Sequence, residues 1–192
     1  DGWQVDGEAF DGVVMATTSA EAARLALTAA GSLHATRPAC EHWAGMADSL
    51  PHTAIATVYA QCPAGSGLPA PMVALRSGPD APAQFAFDRG QLGGPAGLMA
   101  LVISASDALP LDRTTLQAQT LAQARTQLQL PDLQPLKTVV DKRATFACTP
   151  GVQRPTADIL PGLWACGDYV EGPYPATLEG AVRSGLEVAQ AF

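Results

Sequence analysis

Residues 163–189 read LWACGDYVEGPYPATLEGAVRSGLEVA. The segment opens as a short apolar strand that stops at Gly167-Asp168. It then crosses a Pro/Gly turn and enters a helix predicted to start near Pro175, since proline suits a first helical turn. The first residues of any helix leave N–H groups without intrahelical partners, and the helix dipole draws anionic or electron-rich atoms to them. Asp168 places a carboxylate where the strand ends; a buried carboxylate needs hydrogen-bond donors, and sugar hydroxyls can supply them. Gly180 and Gly185 each lower helix propensity by about 1 kcal/mol, which points to close approach by another backbone or a flat ligand. The same residues also suit an ordinary strand–loop–helix end, with Asp168 as a turn residue.

Outward from this segment, the start of the chain has a similar texture. Residues 3–19, WQVDGEAFDGVVMATTS, read as two strands, with a hairpin signal at Asp6-Gly7 and a buried-type apolar run at 11–17. Ser19 is expected to cap a helix over 20–30, which Gly31 stops. A second helical stretch covers 38–50, with Pro38 in its first turn and Pro51 beyond its end.

The middle of the chain differs. Residues 52–62 alternate, with Ala54, Ala56, Val58 and Ala60 on one face and Ile55, Thr57 and Tyr59 on the other. Further strand signals at 72–77, 83–89 and 98–106 are separated by Gly/Pro loops. Residues 111–130 form an amphipathic helix, with Leu116, Ala124 and Leu128 near one stripe beside Thr120 and Leu121, ended by Pro131. Another strand covers 136–148. These strands predict one sheet with the helix on one face and an apolar second face. Either a further layer or a long hydrocarbon would cover that second face.

Composition narrows the function classes. The chain has 192 residues, 47% hydrophobic and 15% charged, with a net charge of −7, which suits a folded domain with a sizeable core. An acidic chain with scattered cations is a poor match for nucleic acid and lacks a polybasic membrane anchor. No apolar run approaches the ~20 residues of a transmembrane helix. Cys40, Cys62, Cys148 and Cys166 form no C-x-x-C and read as reduced thiols of a cytoplasmic protein. His34, His42 and His52 show no metal-ligand pattern. No nucleophile motif of a hydrolase is present.

Residues 163–189 closely resemble the C-terminal flavin motif of the amine oxidase/phytoene desaturase superfamily. Within it they resemble the squalene-associated FAD-dependent desaturases, or hydroxysqualene dehydroxylases: GD, a short turn, then PATxEGAxRSG, here Gly167 to Gly185. FDGVVMAT at 10–17 resembles the strand that returns such chains to the FAD domain. QFAFDRGQLGGPAGLMALVISAS and KRATFACTPGVQRP resemble substrate-domain segments. The resemblance covers nearly the whole chain.

That resemblance implies roles. Gly167 and Asp168 would meet the ribityl or pyrophosphate part of FAD. The N–H groups near Thr177 and Leu178 would face the N1/C2=O edge of the isoalloxazine, and Ala16 and Thr17 would lie near the adenosine or pyrophosphate side. It implies an α/β (α+β) fold in which 1–47 and 151–192 are remnants of a Rossmann-like FAD-binding domain and 48–150 is a mixed-sheet substrate domain with a packed helix. The implied reaction is removal of the hydroxyl of hydroxysqualene to give squalene, an apolar isoprenoid. The catalytic acid stays unassigned, and no metal is implied. A carotenoid desaturase, a flavin amine oxidase relative and a non-catalytic module for apolar lipids stay open. Transient contact with the inner membrane surface would serve substrate capture.

One departure stands out. The family's opening strand, G-x-G-x-x-G and helix are absent. The nearest string, Gly65 to Ala70, is followed by a proline that forbids the helix, and GQLGGPAG at 90–97 has the wrong spacing. The chain is therefore expected to be a C-terminal fragment that binds FAD weakly or not at all alone. Asp88-Arg89 and Lys142-Arg143 read either as structural ion pairs or as substrate-facing groups. Tyr169 and Tyr174 flank the turn and are expected to pack.

Overall fold

The computed structural model describes residues 2–31, 35–63 and 65–191; His34 lies outside them. The chain is an α/β protein that divides into two units, Asp1–Pro51 with Phe146–Phe192, and His52–Thr145.

In the first unit, β1 (Trp3–Val5) and β2 (Glu8–Phe10) form an antiparallel hairpin. Its two turn residues, Asp6 and Gly7, have φ of 52° and 87°. A type I′ turn needs two positive φ values, so Asp-Gly was a legible signal. The segment holds three strands rather than two, because β3 (Val13–Met15) joins a separate sheet. There β10 (Leu163–Ala165) lies parallel to β3, with Leu163 opposite Val13 and Ala165 opposite Met15, and antiparallel to β9 (Asp158–Leu160).

Two helices follow β3: α1 (Ser19–Ala30) and α2 (Arg37–Asp48). Ala22, Ala23, Ala26 and Ala30 of α1 and Cys40, Trp43, Ala44 and Ala47 of α2 share one core with Met15, Leu163, Ala165, Tyr169 and Val170. The indole N–H of Trp43 donates to Thr156 O at 2.9 Å. Ser19 is not the cap of α1. It is the first helical residue, buried in the core, and its hydroxyl has no partner among the described residues; Thr18 precedes the helix without a side-chain cap bond. Burial turned the Ser19 hydroxyl inward, away from the N–H groups it was expected to cap. The last helix, α4 (Leu178–Ala191), packs Gly180, Ser184 and Val188 inward.

The second unit is a five-stranded sheet in the order β5 (Met72–Ala74), β6 (Phe85–Asp88), β7 (Leu98–Ser104), β4 (His52–Gln61), β8 (Gln134–Phe146). The β5–β6, β6–β7 and β4–β7 pairs are antiparallel. Register stacks Val58, Leu101, Ala86 and Val73 across one face and Tyr59, Ala100, Phe87 and Met72 across the other. Helix α3 (Arg113–Gln127) covers the first face through Leu116, Leu121 and Ala124. The second face carries Ile55, Tyr59, Phe87 and Val102 half-buried, with Phe85 and Met72 exposed.

Helix α3 is capped by Asp112, whose carboxylate accepts from Thr115 N at 2.8 Å. Two of its glutamines act as surrogate backbone. Gln123 accepts from Ala83 N and donates to Ala83 O, both at 2.8 Å. One helical turn on, Gln127 accepts from Arg76 N at 2.8 Å and donates to Arg76 O at 2.9 Å. Among the described residues no helix is long and apolar enough to cross a membrane.

Candidate functional site

The parallel β3–β10 pair sets the geometry. Ala16-Thr17 leave β3, and Cys166-Gly167-Asp168 leave β10, at the same C-terminal edge. Cys166 N donates to Met15 O at 3.1 Å there. Open α/β sheets bind ligands outside the C-terminal ends of their parallel strands. So the structure brings Ala16, Thr17, Gly167 and Asp168 to one edge, with Ala16 and Thr17 exposed and Asp168 half-buried.

The turn after Asp168 is held at several points. Gly167 N donates to Ser184 Oγ at 3.2 Å and Ala176 N to Asp168 O at 3.2 Å. The Gly167 backbone sits on the Tyr169 ring: a Cβ there would meet Tyr169 Cε1 at 2.6 Å. Tyr169 is buried and its hydroxyl has no partner among the described residues. Burial, then the neighbouring Cys166 and Asp168, push that hydroxyl far above its ordinary ionisation range. Tyr169 therefore packs. Tyr174, in contrast, is exposed, with the Arg183 guanidinium 4.9 Å from its ring centre.

Helix α4 begins at Leu178, three residues later than the proline had implied. Pro175 lies in the turn, between Tyr174 and Ala176, whose φ values are 57° and 56°. Two non-glycine residues in left-handed conformation are costly, and such positions cluster at ligand sites. Thr177 caps the helix: its hydroxyl donates to Tyr174 O at 2.6 Å and accepts from Gly180 N at 3.0 Å. Ala181 N bonds Thr177 O at 3.1 Å. The N–H groups of Thr177, Leu178 and Glu179 have no partner among the described residues. Thr177 and Leu178 are exposed, Leu178 at 88%. The Glu179 carboxylate is occupied by Arg183 Nε at 2.6 Å.

The site thus offers a row of free N–H groups and an uncommitted carboxylate. No hydrogen bond reaches the Asp168 carboxylate from any described residue, so both of its oxygens can accept from a ligand. Cys166 is half-buried, and burial pushes its thiol up. Cys40 and Cys62 are buried, while Cys148 is exposed.

No family model and no curated protein matches this chain. Solved structures do. A protein assigned as a protoporphyrinogen oxidase from Exiguobacterium sp. 255-15 matches 96% of this chain at TM-score 0.58 and 14% identity. An oxidoreductase from Methanosarcina mazei matches 96% at TM-score 0.58 and 14% identity. Reduced UDP-galactopyranose mutase matches 85% at TM-score 0.51 and 14% identity. The chain spans 41%, 44% and 37% of those three chains, less than half of each. At this identity the likeness is one of fold.

Two further sequence candidates resolve differently. Asp88 belongs to no ion pair among the described residues. It is 4% exposed and accepts from Leu68 N, Gly90 N, Gln91 N and Gln91 Nε2 at 3.0–3.3 Å. These donors hold its carboxyl below the usual carboxylate range, led by Gln91. It is an anchor for two loops. Lys142 and Arg143 are exposed on β8. Arg154 went unremarked in the sequence; it donates to Val170 O and Gly172 O in the turn before α4. Its partners lie sixteen and eighteen residues away, so no local pattern announces them. Among the described residues no group of three His, Cys, Asp or Glu side chains could hold a metal.

Proposed function

We propose that this chain carries the closing half of an FAD site in a flavin-dependent oxidoreductase. The observation that carries this reading is the row of N–H groups at Thr177, Leu178 and Glu179 that have no partner among the described residues. The row lies across the 169–176 turn from the strand-end carboxylate Asp168 at a C-terminal sheet edge, and the Ala176 N–Asp168 O bond closes that turn.

The residues fit the group. Asp168 would accept from ribityl hydroxyls, and Gly167, whose missing Cβ admits the Tyr169 ring, would set the strand end beside it. The α4 mouth would face the electron-rich N1/C2=O edge, where free N–H groups and the dipole favour negative charge. Ala16 and Thr17 would border the adenosine or pyrophosphate side. Bound there, FAD supplies hydride transfer. The chain's own part is to bind, orient and polarise.

The finer reading is an apolar isoprenoid substrate, hydroxysqualene, converted to squalene. It is supported by the motif over 167–185 and by the row Tyr59, Ala100, Phe87 and Met72 on the second face of the sheet in the 52–145 unit, a face that also carries Thr57, Gln61 and Ser104. That row gives hydrocarbon contact and no charged group.

The test uses the intact gene product. It should purify with flavin absorbance and, once reduced, convert hydroxysqualene to squalene. A yellow protein that instead dehydrogenates a carotene or oxidises an amine keeps the flavin reading and replaces the substrate. A colourless protein that takes up no FAD sinks the flavin reading and leaves an apolar-lipid module.

A further inference from the structure

We propose that Arg154 is a positioning residue for the α4 mouth, holding the turn carbonyls away from the ligand; this rests on the flavin reading above. Arg154 is half-buried in the connector that precedes β9. Its Nη1 donates to Val170 O at 2.7 Å, and its Nη2 donates to Gly172 O. Between those two carbonyls, Glu171 N donates to Pro155 O at 2.8 Å. Pro155 is among the most fully buried residues, so the anchor is fixed.

The arrangement has a chemical consequence. A helix mouth attracts an electron-rich edge only if N–H groups, not carbonyls, face it. The turn that delivers the chain to Thr177 carries its own carbonyl oxygens, which would repel such an edge. Arg154 draws two of them onto one guanidinium. The constraint passes forward through Gly172 and Pro173 to Tyr174 and Ala176, both left-handed, and to the Ala176 N–Asp168 O bond. Arg154 forms no ion pair among the described residues, so its positive charge is not cancelled by a carboxylate. A lysine could keep the charge but not the fork that reaches both carbonyls.

The experiment titrates FAD into the apo form of the intact protein. It compares wild type, Arg154→Met, Arg154→Lys and Ala26→Gly, a control that loosens the same unit from inside α1. Melting temperature of the apo form and visible circular dichroism of bound flavin are read alongside. Arg154→Met should weaken FAD binding at least about tenfold, the worth of one charged hydrogen bond. It should also change the flavin's dichroism. Arg154→Lys should fall between Met and wild type and carries the test if the Met variant does not fold. Ala26→Gly should lower the melting temperature and leave affinity unchanged. Wild-type affinity in either Arg154 variant, within about twofold, overturns the positioning role while leaving the flavin reading intact. Wild-type protein that takes no FAD overturns both.

Discussion

The backbone N–H of Gly167 donates to the hydroxyl of Ser184 across 3.2 Å, tying the end of β10 to the second turn of α4. Strand end and helix are thereby fixed to each other as well as to the turn between them. The groups at the strand end and at the helix mouth form one preorganised set, and the effects of substitutions there can be separated.

Gly180 and Gly185 should respond in opposite directions to alanine. A Cβ at Gly180 would collide with the Tyr174 carbonyl, which is backbone and cannot step aside. Gly180→Ala should cost about 1–3 kcal/mol, as overpacking does. At Gly185 a Cβ meets nothing within 4 Å, so Gly185→Ala should stabilise by about 0.5–1 kcal/mol through helix propensity. Urea unfolding of both variants decides it, and equal destabilisation would contradict the geometry.

Thr177→Ala removes the acceptor for Gly180 N and should cost about 1 kcal/mol. Thr177→Ser keeps the hydroxyl and should restore most of that. If alanine and serine unfold at the same urea concentration, the cap contributes nothing.

Asp168→Ala should leave the unfolding midpoint of the apo protein nearly unchanged, because no described residue donates to its carboxylate. In the intact protein it should lower FAD affinity by the worth of a charged hydrogen bond, about 1.5–3 kcal/mol. Unchanged FAD affinity, measured by titration, would remove Asp168 from the site.

Asp88 makes stability depend on acid. Its folded ionisation lies below that of the unfolded chain, at about 3.9 for Asp, owing first to Gln91 and then to backbone donors at Leu68, Gln91 and Gly90. The stabilisation is therefore full above the unfolded value and is lost as pH falls below it through the folded value. Asp88→Asn should cost about 1–3 kcal/mol near neutrality by disrupting these contacts, and less as the pH is lowered. A variant-to-wild-type difference that does not shrink in acid would falsify this role.

Much of this was legible where the signal is local. The alternation Ala54, Ala56, Val58, Ala60 put all four in the core, because strand side chains alternate faces. Asp6-Gly7 announced its hairpin. The start of α4 was misread because Pro175 suits a first helical turn, and no propensity flags Tyr174 and Ala176 as left-handed. Ser19 was misread because its hydroxyl chose the core over the cap. Beside its local bonds to Gly90 and Gln91, Asp88 reaches Leu68 twenty residues back, and Gln123 and Arg154 bond groups sixteen to forty residues away. Only tertiary folding brings those partners together.

The two glutamines of α3 have one more implication. A carboxamide that bonds both the N–H and the C=O of one residue reads backbone alone, so Arg76 and Ala83 are gripped through their main chain. Gln123 and Gln127 stand one helical turn apart, roughly 6 Å. They fix the span between positions 76 and 83, whose loop closes on itself at Gly78 and Ala81. Its exposed positions 77–80 are therefore free to drift in composition, but the stretch is not free in length. Substitutions at those exposed positions should be silent, whereas inserting or deleting a single residue should cost both amide pairs at once.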